Sequence, residues 1–177
     1  MDECTAWLFQ GIADHEAAIA IDSLDREKFG CHVIAKLQQA VEKLIKSIVA
    51  SLRDAGILAI EIGFGHSVSR FVATMLSLPH AKAVRLAQRR LWKMLDAPTR
   101  AGISAIDELV PRRPPPGTPP TRNTEYPFQT QQQKWAYPAL DGVFDPTDLV
   151  RFRAVANRIR TQVPAIVSAI RHQTSSR

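Results

Sequence analysis

Residues 33–52 read VIAKLQQAVEKLIKSIVASL, and this stretch has the clearest helical pattern in the chain. Its apolar residues recur every three or four positions, which is the period of one face of an α-helix. The opposite face is polar and is expected to be exposed, with Lys36, Gln39, Lys43, Lys46 and Ser47. Glu42 precedes Lys46 by four residues, the spacing of a surface ion pair on a helix. The stretch therefore predicts a long amphipathic helix that ends near Gly56.

The residues before this stretch predict a first helix over about residues 5–24. Thr5 is the expected N-cap, because a threonine hydroxyl can accept a hydrogen bond from a backbone N–H of the first turn. The larger apolar residues expected on its buried side are Trp7, Leu8, Ile12 and Ile19. The two helices are expected to form an antiparallel hairpin.

Three shorter helical segments are predicted after Gly56. The first is a helical turn whose apolar side carries Val68, Phe71, Val72 and Leu76. The second spans about residues 80–95 and is expected to expose Arg85, Arg89 and Lys93. Pro98 separates it from the third segment, whose apolar residues are Ile103, Ile106 and Val110.

The last predicted helix has clear start signals. Asp145 is the expected N-cap, Pro146 occupies the first helical position, and Phe144 is placed to pack against Leu149. Proline lacks a backbone N–H and its ring crowds the preceding turn. We therefore expect Pro164 to kink this helix.

Residues from about 111 to 144 differ in amino-acid composition from the rest of the chain. Prolines crowd together there and few residues can build a core, which predicts a Pro-rich irregular insertion.

No strand pattern and no internal repeat is found, so the predicted fold class is all-α. The expected architecture is a four-helix up-and-down bundle with short extra helices. With 177 residues and 45% hydrophobic content, the chain is expected to form a single domain over residues 1–177.

The chain shows no signal for export or for membrane insertion. Its first residues, Met1-Asp2-Glu3-Cys4, are acidic, and no run of about 18 apolar residues occurs. We therefore expect a cytoplasmic protein without a membrane segment.

The two cysteines, Cys4 and Cys31, lack the partners of a disulfide framework or a metal site, and the sequence predicts neither a metal nor a cofactor.

The charge of the chain bears on its partners. The net charge is +6 at pH 7, and arginine supplies most of the positive charge. Arginine can hold a phosphate through two hydrogen bonds, whereas lysine acts as a point charge. This balance favours a polyanionic partner such as RNA, or an acidic protein surface.

Short motifs in the chain resemble the HEPN domain family of bacterial and archaeal proteins, and they follow the order that the family shows. The first resembles the opening of the domain and comprises Trp7, Gly11, Asp14, Ala17 and Ala18. The second resembles its second helix and comprises Phe29, then Gln39, Ala40, Val41, Glu42, Lys43, Leu44, Ile45 and Lys46. The third comprises Gly65, His66, Ser67 and Val68. The resemblance runs from about residue 7 to 170, and residues 95–122 are unmatched.

A fourth motif lies before the last helix. One large branch of the family has Arg-Tyr-Pro there, often preceded by Asn-Thr, and this chain has Asn123, Thr124, Glu125, Tyr126 and Pro127. Tyr-Pro is retained, but Glu125 occupies the arginine position. Arg122 is close enough in sequence to replace that arginine.

The resemblance implies a homodimer that works in a toxin–antitoxin or defence system. Members of the family act as metal-independent RNases or as partners of a small nucleotidyltransferase. The RNases use an arginine followed after four to six residues by a histidine at the dimer interface. This chemistry suits RNA cleavage, because one group must move the 2′-hydroxyl proton and another must stabilise charge on the phosphate.

Arg26 and His32 have the required spacing, yet a chain this rich in arginine contains about one such pair by chance. The pair also lies between the first two helices, away from the family's site, and we do not assign catalysis to it. The candidates that remain for a catalytic site are His66, Arg122 and Tyr126. His66 and Tyr126 have an alternative structural role in fixing loops to the bundle. Glu42 and Lys43 are neighbours on a helix and point in different directions, which favours ion pairs over acid–base catalysis.

The candidates for binding RNA or a partner are Arg122, Tyr126, Arg151 and Arg158. The arginines of the last helix are equally compatible with a solvated helix face. We expect a dimeric HEPN-like protein, non-catalytic or weakly catalytic, that acts with a nucleotidyltransferase or binds RNA or a nucleotide. Two alternatives stay open: a metal-independent endoribonuclease with an atypical site, and a structural helical adaptor.

Overall fold

The computed structural model describes residues 1–24, 26–59, 68–78, 85–109, 128–129, 135–136 and 146–175. These residues contain six helices: α1 (Glu3–Asp22), α2 (Arg26–Asp54), α3 (Val68–Leu76), α4 (Arg85–Met94), α5 (Ala97–Asp107) and α6 (Pro146–Ser175). Two antiparallel strands of two residues each, β1 (Phe128–Gln129) and β2 (Trp135–Ala136), lie between α5 and α6. The predicted all-α class is confirmed. The two strands were not predicted, because strands this short leave no alternating pattern in the sequence.

Helix α1 begins earlier than the sequence predicts. Asp2, not Thr5, is its N-cap, and the Asp2 Oδ1 atom accepts a hydrogen bond from the Thr5 backbone N–H at 2.8 Å. Aspartate and threonine side chains can both accept hydrogen bonds from the free N–H groups of the first turn. Here the aspartate that precedes the turn takes the capping position. The expected burial of Ile19 was also wrong, because Ile19 lies at the edge of the side that faces solvent.

Helix α2 ends as predicted at a glycine. Gly56 has a positive φ of 68°, which glycine adopts without steric cost. The chain then turns back on the helix, and the Ile57 N–H donates to the Leu52 carbonyl at 2.9 Å. This closure satisfies a carbonyl at the helix end that has no partner within the helix.

The core is built around α2, which packs against both α1 and α6. Its apolar face is completely buried and includes Leu37, Val41, Leu44, Ile45 and Ile48. Helices α1 and α2 approach closely at Gly11, where an added Cβ atom would lie 2.8 Å from Leu44 Cγ. Glycine is therefore the residue that permits this contact.

The polar face of α2 is only partly exposed. Lys46, expected at the surface, is 1% exposed, and Ser47 is buried with its hydroxyl donating to the Leu44 carbonyl at 2.7 Å. The expectation failed because α2 is covered from more than one side, so that positions opposite its apolar face also meet neighbouring helices. The Glu42–Lys46 pair is consequently buried, not a surface pair.

Aspartates fix the shorter helices. The Asp107 carboxylate, at the end of α5, accepts from the Val68 and Ser69 N–H groups at 3.1 and 3.3 Å and so caps the start of α3. Asp96 is the N-cap of α5 and accepts from the Thr99 N–H at 3.1 Å. These carboxylates replace the hydrogen bonds that the first turn of a helix cannot make internally.

Helix α6 starts at Pro146, as predicted, and continues through Pro164 to Ser175. The proposed cap Asp145 and staple residue Phe144 lie outside the described residues. Within the described part of the chain, no helix combines the length and the apolar character that a membrane crossing requires.

Candidate functional site

A buried carboxylate links α1 to α2. Asp14 is 4% exposed, and its carboxylate pairs with Lys43 and, at 3.1 Å, with Lys36. Lys36 also donates to Gln39 Oε1 at 3.0 Å. Residues from two of the motifs that resemble the HEPN family therefore contact each other here. Because both lysines are engaged by Asp14, this cluster joins two helices and offers no unpaired base.

A second buried pair lies further along the same two helices. The Lys46 ammonium is 2.6 Å from Glu42 Oε1 and 4.8 Å from the centroid of the Trp7 ring. The Trp7 indole N–H donates to Glu3 Oε1 at 3.1 Å. A buried ammonium is tolerated only when its charge is compensated, which the carboxylate and the ring face do together. Glu42 and Lys43 thus both form ion pairs.

Two of the described histidines, His15 and His32, differ in their surroundings. His15, which the sequence analysis did not single out, is buried and hydrogen-bonded through Nε2 to Asn157 Oδ1 on α6 at 2.6 Å. His32 is exposed on α2, with its ring centroid 6.2 Å from that of Phe29. Neither histidine hydrogen-bonds to an arginine within the described residues. Arg26 is the first residue of α2, and its side chain lies outside the described part.

The other catalytic candidates, His66, Arg122 and Tyr126, lie outside the described residues, as do Glu125 and Pro127. Their mutual geometry is therefore not part of the site described here.

The arginines of α6 hold the bundle together. Arg151 donates to the Ala101 carbonyl at 3.2 Å, and Arg158 pairs with Asp96 at 2.7 Å and donates to the Lys93 carbonyl at 2.6 Å. The other three pair with acidic residues near or on α1: Arg153 with Asp22, Arg160 with Glu16, and Arg171 with Asp2. Arg151 and Arg158, predicted to bind RNA or a partner, are thus engaged within the fold.

The cations of α3, α4 and α5 are arranged differently. The described ones, Arg70, Arg89, Arg90, Lys93 and Arg100, are all exposed and make no ion pair in the part of the chain that the structure describes. Three of them lie on α4 beside Trp92, which is 43% exposed. We call Arg89, Arg90, Trp92 and Lys93 the α4 face. The predicted exposure of Arg89 and Lys93 is confirmed, although no role was predicted for them, and the side chain of Arg85 lies outside the described part.

Charged groups near the chain ends have shifted pKa values. Hydrogen bonds from the Thr5 backbone and side chain, assisted by the Arg171 guanidinium, lower the pKa of Asp2 to about 2. Hydrogen bonds from Trp7 and Arg53 lower the pKa of Glu3.

Burial raises the pKa of the Cys4 and Cys31 thiols, which keeps them protonated and weakly reactive at neutral pH.

A pocket with about 350 Å³ of empty space, part of it open to solvent, lies between α2, α3, α4 and α6. Its walls are apolar except for Gln88, whose side-chain amide donates to the Leu78 carbonyl at 3.3 Å. None of the described residues that line the pocket has an ionisable side chain. Among the described residues, no three histidine, cysteine or acidic side chains are grouped to hold a metal ion.

No protein-family model, no curated protein and no solved structure matches this chain. The described residues define an all-α protein with internally paired charges on α1, α2 and α6 and unpaired positive charge on α3, α4 and α5.

Proposed function

We propose that this protein is a homodimeric HEPN-like four-helix bundle that binds RNA without cleaving it. The observation that carries the dimer in this proposal is the outer face of α1, which we define as Ala6, Phe9, Ala13, Ala17 and Ala20. Phe9 is 55% exposed, and the alanines are fully or partly exposed around it. An exposed aromatic side chain within a run of small apolar residues is typical of an interaction surface.

A second copy of the chain is the occupant that we propose for this face. Its five residues follow one another at spacings of three, four, four and three, so they form one straight stripe along the helix. Alanines allow a neighbouring helix to approach closely, and Phe9 can fill the space beside them. Glu16 borders the stripe and lies 3.7 Å from Arg160 of its own chain, so its charge is partly balanced.

The paired state of His15, Glu42 and Lys43 supports a binding function over a nuclease function. General acid–base catalysis needs a side chain that can reach the substrate and change its protonation state. His15 is buried and bonded to Asn157, and Glu42 and Lys43 are each tied to an opposite charge. Of the two partners that the resemblance implies, RNA and a nucleotidyltransferase, the net charge of +6 favours RNA.

The test of the dimer uses light scattering on purified protein. We expect a mass of twice 19.7 kDa for the natural chain and a monomer for Phe9→Glu, because a buried carboxylate without a partner opposes association. Val150→Glu is the matched control, since Val150 is 64% exposed on α6, and this variant should remain a dimer. A natural chain that stays monomeric at high concentration, or a Phe9→Glu variant that still dimerises, would contradict the proposal.

A further inference from the structure

Among the described residues, the cations that contact neither a carboxylate nor a carbonyl oxygen lie on α3, α4 and α5. On α2 and α6, every cation whose side chain is described contacts a carboxylate or a carbonyl oxygen. On α4, in contrast, Arg89, Arg90 and Lys93 are exposed without an ion pair among the described residues, and the helix contains no acidic residue. Unpaired cations on one helix face produce a local positive potential that attracts polyanions.

Three of the four cations of α4 have described side chains, and these three are neighbours on the helix surface. Lys93 follows Arg89 by four positions and Arg90 by three, which places Arg89 and Lys93 on the same side of the helix about 6 Å apart along its axis. The buried side of α4 comprises Ala87, Leu91 and Met94. The described residues of α4 that are exposed are Arg89, Arg90, Trp92 and Lys93.

Trp92 distinguishes this surface from a merely basic one. An indole that is 43% exposed beside cations offers a flat ring on which a base can stack. A base inside a duplex has both faces covered by its neighbours, whereas a base of a single strand can turn outward onto an aromatic ring. Phosphate contacts from arginine and lysine complete this type of site.

We propose that the α4 face binds single-stranded nucleic acid, with Arg89, Arg90 and Lys93 on the phosphates and Trp92 stacked on one base. This inference rests on the proposed function in that it takes RNA as the partner, and it adds where the strand lies and which form is recognised. It moves the predicted interface from Arg151 and Arg158 to a different helix.

The test measures fluorescence anisotropy of a labelled single-stranded RNA, with the same strand as DNA and as an RNA duplex for comparison. Three phosphate contacts on a single strand predict that log K falls with log salt with a slope of about −2, or about 20-fold between 50 and 200 mM. Single strands should bind more tightly than the duplex. The RNA and DNA arms show whether the 2′-hydroxyl contributes.

Variants separate the two kinds of contact. Arg89→Ala with Arg90→Ala should reduce the magnitude of the salt slope by about 1.4 and weaken binding on the order of 50-fold at 50 mM salt. Trp92→Ala should weaken binding by about fivefold or more without changing the slope, and Trp92→Phe should restore part of the affinity because the ring is retained.

The matched control is Arg53→Ala with Arg171→Ala, which removes the same charge from α2 and α6, where both arginines have acidic partners. This control should bind nearly as tightly as the natural chain. The inference would be overturned if the two double variants lost the same affinity. It would also be overturned if the duplex bound as tightly as the single strand, or if an acidic peptide bound as tightly as the RNA. Failure of the two proposals can be told apart. A natural chain that binds RNA with no loss in the α4 variants contradicts only this inference, whereas a natural chain that binds no RNA contradicts the proposed function as well. Light scattering on the same samples tests the dimer separately, since a monomer that binds contradicts only the dimer.

Discussion

Lys46 places an ammonium group in the core of the bundle, where the residue is 1% exposed. Its spacing from Glu42 predicts an ion pair, and the pair is present at 2.6 Å. Its burial is not predictable from the helical period, because it depends on α1 bringing Trp7 over the ammonium group. Gln39, Glu42 and Lys43 likewise resemble a family motif, while their partners are visible only in three dimensions.

The buried pair gives a prediction at the residue scale. Lys46→Met should lower the free energy of unfolding by about 3 kcal/mol, because it leaves the buried Glu42 carboxylate without its ammonium partner. Adding Glu42→Gln should recover a large part of that loss, since the amide keeps hydrogen-bonding capacity without the charge. Urea denaturation of the three proteins measures the difference, and a Lys46→Met variant within about 0.5 kcal/mol of the natural chain would show that the pair contributes little.

At the scale of elements, substitution of two glycines inside helices, Gly30 and Gly102, should change the free energy of unfolding in opposite directions. Alanine is about 1 kcal/mol better than glycine in a helix interior, so substitution at an open position should stabilise the protein. Gly30 on α2 has no atom within 4 Å of the position of an added Cβ. We therefore expect Gly30→Ala to raise the free energy of unfolding by about 0.5–1 kcal/mol.

Gly102 on α5 should respond in the opposite direction. Its added Cβ would lie 2.3 Å from Val155 Cγ2 on α6, so Gly102→Ala forces the two helices apart and should cost about 1–3 kcal/mol. Val155→Ala in the same chain removes the clashing methyl group and should reduce the cost of the glycine substitution. Thermal or urea unfolding of both single variants and the double variant checks this, and additive effects would indicate that α5 and α6 are not in close contact here.

The helices themselves were largely predictable. The periods of α2 and α6, the glycine at the end of α2 and the proline at the start of α6 are local signals, and the structure places these elements accordingly. The α4 face was not predicted as a site because arginines on α4 and α6 look alike in sequence. They differ only in whether the fold brings an acidic residue to them, as Asp96 is brought to Arg158.

At the scale of the whole molecule, Asp2 and Arg171 join the two ends of the described chain at 2.6 Å. The pKa of Asp2 is lowered from 3.8 to about 2 in the folded protein. Its contribution to stability is therefore complete above about pH 4 and is lost as the pH falls through about 2, because the unfolded chain takes up the proton first. Hydrogen bonds lower the pKa of Glu3 in the same direction.

We predict that Asp2→Asn reduces the acid sensitivity of the protein. Asparagine is also a good N-cap, so the substitution removes the charge while keeping the helix start. Between pH 5 and pH 2 the urea midpoint of the natural chain should fall further than that of the variant. If the two urea midpoints changed with pH in parallel, the pKa of Asp2 would not be lowered in the folded protein.

The fate of bound RNA tests the central claim, that this protein binds RNA without cleaving it, most directly. The natural chain is mixed in EDTA with an end-labelled single-stranded RNA at a protein concentration that saturates binding, and the RNA is then sized on a denaturing gel. Our account predicts that the bound RNA stays intact. Cleavage that persists in EDTA and disappears in His66→Ala or Arg122→Ala would contradict it and identify a metal-independent ribonuclease.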